Sequence, residues 1–331
     1  MMLRKEDLRT VTVLARNAAL GFGVALAAAC AATSVQPIHN RPDISSGLSY
    51  STFVSDGVVR ASGARLPEGD PIVSSPITST LIAGATDAVL VDPPLTIEQT
   101  RLVGDWIERS GKKLKYIYVT HVHGDHWFGS AQLVRRFPGV VVYATPGTVA
   151  LMPKQATEGR QRVYDKDFPG LIGETPVLAK PVPPEGFEIE GHRLVPIEVG
   201  HSDTDETSVL HVPDLGLVVA GDVVYNGVHQ FLLETGNGGF ERWLRALDQV
   251  EALHPRIVIA GHKNKALPDD PQCIADTRRY LLDARRLLAE EPTPRAYYDA
   301  MLALYPDRLN RGPLWYSGVS LLAARALPPA R

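Results

Sequence analysis

His121-Val122-His123-Gly124-Asp125-His126 places three imidazoles and a carboxylate within six residues, directly after an apolar run. The run Leu114 to Val119 alternates Leu114, Tyr116 and Tyr118 against Lys115, Ile117 and Val119, the pattern of a buried β-strand closed by Thr120. In extended chain, residues two apart point the same way, so His121 and His123 can grip one metal ion. Gly124 then allows a sharp turn. Asp125 and His126, at the start of a helix predicted from Trp127 to Phe137, can face a second ion. With only ten histidines in 331 residues, a cluster this dense reads as a metal box rather than as loop polarity.

The rest of the chain supplies further ligand types in matching contexts. His201 lies in Val199-Gly200-His201-Ser202-Asp203, after the apolar-rich Leu194 to Val199. Asp222 follows Leu215-Gly216-Leu217-Val218-Val219-Ala220-Gly221, and His262 follows Ile257-Val258-Ile259-Ala260-Gly261. Each time a strand-like run reaches glycine and then a potential ligand, and glycine both turns the backbone and keeps bulk off an ion. Asp92 ends another such run, Ala88 to Val91.

With these five motifs the chain resembles the metallo-β-lactamase superfamily over roughly Ser75 to Lys265. The resemblance implies an α/β fold, an αββα sandwich of two mixed β-sheets flanked by helices, with metals at strand ends along one edge. Carried over residue by residue, it implies that His121, His123 and His201 hold a first ion. Asp125, His126 and His262 would hold a second, and Asp222 would bridge the two. Nitrogen and oxygen ligation of this kind suits zinc, two ions per chain, with iron or manganese as alternatives. The implied activity is metal-dependent hydrolysis by a hydroxide that the dimetal pair activates, with Asp125 and Asp222 positioning it.

Tyr225 stands three residues beyond Asp222, as a substrate-contacting Tyr does in N-acyl-homoserine lactone lactonases, so it is the candidate donor to the leaving group. A Tyr packed under the loop is the alternative. His229 is read as structural or substrate-facing, and Trp127 and Phe128 as pocket wall or helix core. The β-lactamases of the superfamily carry Cys or a non-ligand where Asp222 stands. Glyoxalase II enzymes share the bridging Asp but hold glutathione with basic residues, which Lys263 and Lys265 could imitate. A lactone or ester-like carbonyl is therefore the expected substrate, with β-lactam or thioester hydrolysis as alternatives. A reading of another class is a mononuclear-iron sulfur dioxygenase using His121, His201 and Asp222. The presence of Asp125, His126 and His262 favours two metals.

A 331-residue chain that is 44% hydrophobic accommodates one large globular domain with a modest extension. Its formal net charge is −3 and falls to −5 without residues 1–30. With no basic stripe, nucleic acid is excluded as a partner and a small molecule is expected. A basic region ending at Arg16 precedes the uncharged, Ala-rich Ala18 to Ala32, which is too short for a permanent anchor and reads as an export signal. A packed N-terminal helix is the competing reading. Val24 to Cys30 resembles a lipoprotein signal, so lipidation at Cys30 would be the one membrane link. Cleavage by an ordinary signal peptidase fits equally. The expected location is the periplasm or secreted, with lipid anchoring to the envelope as the variant. With Cys30 removed or lipidated, Cys273 is the last thiol and no internal disulfide can form.

The chain thus divides into a signal at 1–32, a Pro-, Ser- and Asn-rich linker at 33–47, and a metallo-hydrolase domain at 48–331. An irregular insertion at 155–186 reads as a flap near the metals, with a plain surface insertion as the alternative. A helical tail from Gln272 reads as cover for the sheets. Thr96 is the expected cap of a helix ending at Ser110, Thr148 to Gln155 a short helix, and Phe240 to Leu253 an amphipathic one.

Overall fold

A computed structural model describes residues 47–173 and 176–325 together with the short strand Ile38–His39. The expected signal at 1–32 and Cys30 lie outside the described residues. Among the described residues, no helix is long and apolar enough to cross a membrane.

The first sheet has seven strands in sequence order: β1 (Ile38–His39), β2 (Ser49–Ser55), β3 (Ile77–Ala83), β4 (Asp87–Val91), β5 (Lys113–Tyr118), β6 (Val141–Ala144) and β7 (Lys180–Pro181). Its first four strands pair antiparallel and the rest parallel. The parallel join between β4 and β5 is bridged by helix α1 (Ile97–Arg109). Thr96 caps that helix in a capping box with Gln99, each side chain accepting from the other's backbone N–H at 3.2 and 3.1 Å. After β5 come helices α2 (Ser130–Arg136), α3 (Pro146–Lys154) and the short α4 (Asp165–Asp167). The second sheet comprises β8 (Phe187–Ile189), β9 (His192–Gly200), β10 (Thr207–Val212), β11 (Leu217–Asn226) and β12 (Ile257–Lys263), antiparallel except for β11 beside β12. Helix α5 (Gly239–Glu251) joins the last two strands, and α6 (Gln272–Glu290), α7 (Pro294–Leu304) and α8 (Arg311–Arg325) follow.

Strand alternation assigns the residues to three cores. Ile82, Val89 and Val91 meet Leu210, Val219 and Ile259 between the sheets. Leu81, Leu90 and Ile117 turn the other way, onto Val103, Trp106 and Ile107 of α1. Val218 and Val258 pack outward against Trp243 and Leu247 of α5, with Tyr280 and Leu281 of α6 and Tyr297 of α7. Helix, sheet, sheet and helix thus form the four layers of the expected αββα sandwich.

Four local expectations differ from what is found. Ile38–His39, inside the expected linker, pairs as a strand with Ser51 and Thr52. The helix after the metal box starts at Ser130, because Gly124–His126 is a 3₁₀ turn and Trp127 has φ −157°, outside the helical region. The strand before Asp222 does not stop at Gly221 but continues to Asn226 across two register shifts. Finally, the first part of the supposedly irregular insertion is helical, a π-type segment Gln155–Tyr164 joining α3 to α4.

Candidate metal centre

The expected ligands converge where strand ends of both sheets meet. His121 and His126 are fully buried, and Asp222, His262 and His201 are nearly so. His126 Nε2 lies 3.2 Å from Asp222 Oδ1, and His262 Nε2 lies 3.1 Å from Asp222 Oδ2. Asp222 thus presents one oxygen to each of these two histidines. Asp125 Oδ2 stands 3.6 Å from His262 Nε2. Gly261 is required here, since a Cβ would fall 2.2 Å from Asp222 Oδ1.

Each of the five imidazoles has its other nitrogen tied down. His126 Nδ1 donates to Asp92 Oδ2 at 2.9 Å, and His201 Nδ1 to Asp205 Oδ1 at 2.7 Å. His262 Nδ1 donates to the Pro76 carbonyl at 2.7 Å, and His123 Nε2 to Glu234 Oε1 at 3.3 Å. His121 Nδ1 lies 3.0 Å from Thr120 Oγ1, which donates in turn to Asp92 Oδ2 at 2.8 Å. Asp92, at φ 56°, accepts from the Thr120 N–H as well. Such partners fix the tautomer and the ring direction of metal-bound histidines.

Of the opposite nitrogens, His123 Nδ1 and His262 Nε2 face the Asp203 and Asp222 carboxylates, and the other three make no hydrogen bond. His121 Nε2, His126 Nε2 and His201 Nε2, with Asp203 Oδ2 and Asp222 Oδ1, are buried and make no hydrogen bond. Buried polar atoms are ordinarily satisfied, so this convergent set of orphaned nitrogens and carboxylate oxygens fits divalent cations. The electrostatics agree. Burial pulls the His121 pKa down to about 3. Burial opposes protonation of His126 as well, yet Asp222 and Asp92 hold it well above its ordinary value. For Asp222 burial acts upward, and His262 and His126 outweigh it to leave the carboxyl well below the usual range. The carboxylates therefore demand positive charge, which a metal would supply.

Ligand atoms that lie within 4.8 Å of one another form three groups: His121–His126–Asp222, Asp125–His126–His262 and His121–His123–Asp203. Asp125, His126 and His262, expected on the second ion, stand together, and Asp222 stands with His121 and His126. In the first-ion set Asp203, not His201, stands with His121 and His123, its Oδ2 2.7 Å from His123 Nδ1. The sequence reading passed over Asp203. The signal that could have found it is the two-residue spacing from His201, the same spacing that pairs His121 with His123.

The polar groups of the other candidates are taken up by protein partners. Tyr225 is fully buried, and its hydroxyl donates to Asp222 Oδ2 at 2.7 Å rather than reaching outward. The Asp222 carboxylate takes that proton. Trp127 and Phe128 are core residues, Trp127 donating Nε1–H to the Val122 carbonyl at 2.8 Å. His229 is buried against the Tyr280 hydroxyl at 3.0 Å, and burial lowers its pKa to about 3. Lys263 is buried on Asp269, and Lys265 pairs with Asp56 at 3.0 Å, so both are engaged rather than set out as a basic clamp.

Above the ligands opens a cavity of about 730 Å³. His123, Asp125, Asp203, Asp222 and His262 line it together with Ile72, Leu95, Val122, Phe168 and Phe231. Residues 151–168 form one wall, so the start of the insertion does stand over the metal-binding residues. Tyr316 of α8 contributes as well.

Comparisons with known proteins agree with this geometry. The family model of the metallo-beta-lactamase superfamily matches residues 74–262. The hydroxyacylglutathione hydrolase of Parasynechococcus marenigrum (strain WH8102) is 26% identical over 208 residues, spanning 60% of this chain and 74% of that protein. In three dimensions the chain is similar to the metallo-beta-lactamase FIM-1 from Pseudomonas aeruginosa in its mono-zinc form, with TM-score 0.51 and 17% identity over 76% of this chain and 96% of that one. It is similar also to a metallo-beta-lactamase from Pontibacter korlensis, with TM-score 0.52 and 20% identity over 75% and 99%. At such identities the structural likeness speaks for the fold alone. The matched model, spanning every expected ligand from His121 to His262, shows that the chain belongs to the metallo-beta-lactamase superfamily.

Proposed function

We propose that this protein is a dinuclear, zinc-dependent hydrolase that opens a lactone or ester-like carbonyl bearing an apolar group. The observation that carries the reading is the pairing of an anchored His/Asp floor with an apolar patch of Ile72, Leu95, Val122, Phe168 and Phe231 in the same cavity, whose rim also carries Arg60, Lys154 and Arg162. Bound there, two divalent cations would make hydroxide available near neutral pH and polarise a carbonyl oxygen. The chain's own residues do the rest. Asp92, Glu234, Asp205 and the Pro76 carbonyl hold the imidazoles in direction. Asp125 and Asp222 flank the reacting centre, where a carboxylate can accept a proton. Tyr225 fixes Asp222 by donating to one of its oxygens. Ile72, Leu95 and Phe168 exclude water around the acyl or alkyl part of the substrate.

The hydroxyacylglutathione hydrolase relative favours a thioester as second reading. Against it, Lys263 and Lys265 are already paired with Asp269 and Asp56. A turnover screen of the zinc-loaded protein against lactones, aryl esters, thioesters and cephalosporins decides. Lactones or esters as best substrates would support the proposal, and thioesters or cephalosporins alone would overturn it. Export is proposed with it, the mature chain beginning between about Ala28 and Ser34. N-terminal sequencing of the native protein tests that, and a start at Met1 or Met2 would contradict it.

A further inference from the structure

Tyr164 closes the π-type segment Gln155–Tyr164 and reaches back to the metal box. Its hydroxyl oxygen accepts from the Gly124 N–H at 2.8 Å and, at 3.5 Å, from Gln155 Nε2. The ring packs on Phe128, centroids 5.0 Å apart. Gly124 is needed for this docking, since a Cβ there would lie 2.9 Å from Tyr164 Cζ and 2.8 Å from Phe128 Cε2. The glycine between His123 and Asp125 therefore serves the insertion as well as the turn.

A phenol oxygen offers two acceptor lone pairs and one O–H. Here the Gly124 N–H occupies one acceptor direction and the Gln155 amide approaches at 3.5 Å, and among the described residues no acceptor takes the proton. Tyr225 differs in this respect, for its proton is spent on Asp222. Tyr164 also lines the cavity beside His123 and Asp125. Burial first and Asp125 second push its pKa up, so the O–H is present at any working pH. π-helical irregularities tend to persist where they serve a site. This one sets down a hydroxyl, already oriented, at the edge of the metal centre.

We propose that Tyr164 donates a hydrogen bond to the substrate carbonyl oxygen as negative charge develops on it. The insertion thus contributes an oxyanion donor that the strand-end motifs do not contain. The proton stays on the phenol; the bond strengthens as the oxygen becomes more basic. This rests on the carbonyl-hydrolase reading of the same cavity.

The test compares Tyr164→Phe with wild type in the zinc-loaded full chain, with metal content and melting temperature measured alongside. On the best substrate found, kcat is expected to fall roughly 10²-fold, the typical cost of one oxyanion donor, with KM little changed. Calorimetric titration with phenylphosphonate, a tetrahedral oxyanion, is expected to show affinity at least about ten-fold weaker in the variant. Unchanged probe affinity in the variant would overturn the donor role, and so would failure of the wild type to bind the probe. Loss of metal or of melting temperature in step with kcat would also overturn it, by showing a structural part for the hydroxyl. If no lactone or ester is turned over while phenylphosphonate binding still depends on Tyr164, the substrate reading fails and the donor stands.

Discussion

The floor and the wall of the cavity are built on opposite terms. On the floor, His121, His123, His126, His201 and His262 each have one nitrogen anchored by a neighbour, and Asp222 is held by Tyr225. The wall, residues 151–168 with Tyr316, comes from helices beyond the sheets. Its Tyr164 keeps a proton free. Metal chemistry needs donors fixed in direction, so each of these six side chains is supported from behind. Substrate choice needs groups that remain unspent until the substrate arrives, and these ride on segments that can vary without disturbing the sheets.

The sharpest break between the two regions comes from removing a floor ligand. His123→Ala and Asp222→Ala are each expected to abolish turnover and lower the metal content. Near-normal activity of Asp222→Ala with two ions still bound would remove the bridging assignment. One layer back, Asp92→Ala frees both His126 and Thr120, and zinc affinity is expected to drop about 10- to 100-fold. Competition against a chelator measures it; an unchanged affinity would show that these supports carry no weight. Tyr225→Phe should do less, weakening zinc by about ten-fold at most and leaving KM for substrate unchanged. A change in KM without a change in zinc affinity would move Tyr225 from the floor to the wall.

The smallest effect is expected far from both regions. Glu190, exposed at the β8–β9 turn, accepts from the N–H groups of Ala85, Thr86 and Asp87 at 2.7 Å. These backbone hydrogen bonds, that to Asp87 foremost, pull its pKa from 4.5 to about 2. A depressed carboxyl pKa contributes stability that is present above 4.5 and lost as pH falls toward about 2. Glu190→Gln should therefore melt below wild type at pH 7, with the gap closing across that window and turnover untouched. A gap independent of pH would assign the effect to something other than the charge.

The floor was legible in the sequence because ligand spacing is a short-range property. The two-residue alternation of a strand pairs His121 with His123, and Asp222 and His262 follow apolar runs that could hardly be anything but strands. The sandwich was implied by the resemblance these motifs carry, and the alternate residues of the same runs divide between its inner and outer cores. Tyr225 was legible as a neighbour of Asp222, but its direction was not, since that depends on a register shift in β11. The helix over 155–164 was hidden by Pro153, Gly159 and a mostly polar face. It is held by docking on Gly124 and Phe128 and by Arg160, which reaches Asp165 and the Gly173 carbonyl. Such tertiary support leaves no periodic trace in the chain.

Whether this floor holds two metal ions for hydrolysis is decided by metal analysis of protein purified without added metal. The content is expected to approach two divalent ions per chain, with hydrolytic activity lost to a chelator and restored by zinc. One iron per chain, accompanied by oxygen uptake on a persulfide substrate, would contradict that expectation.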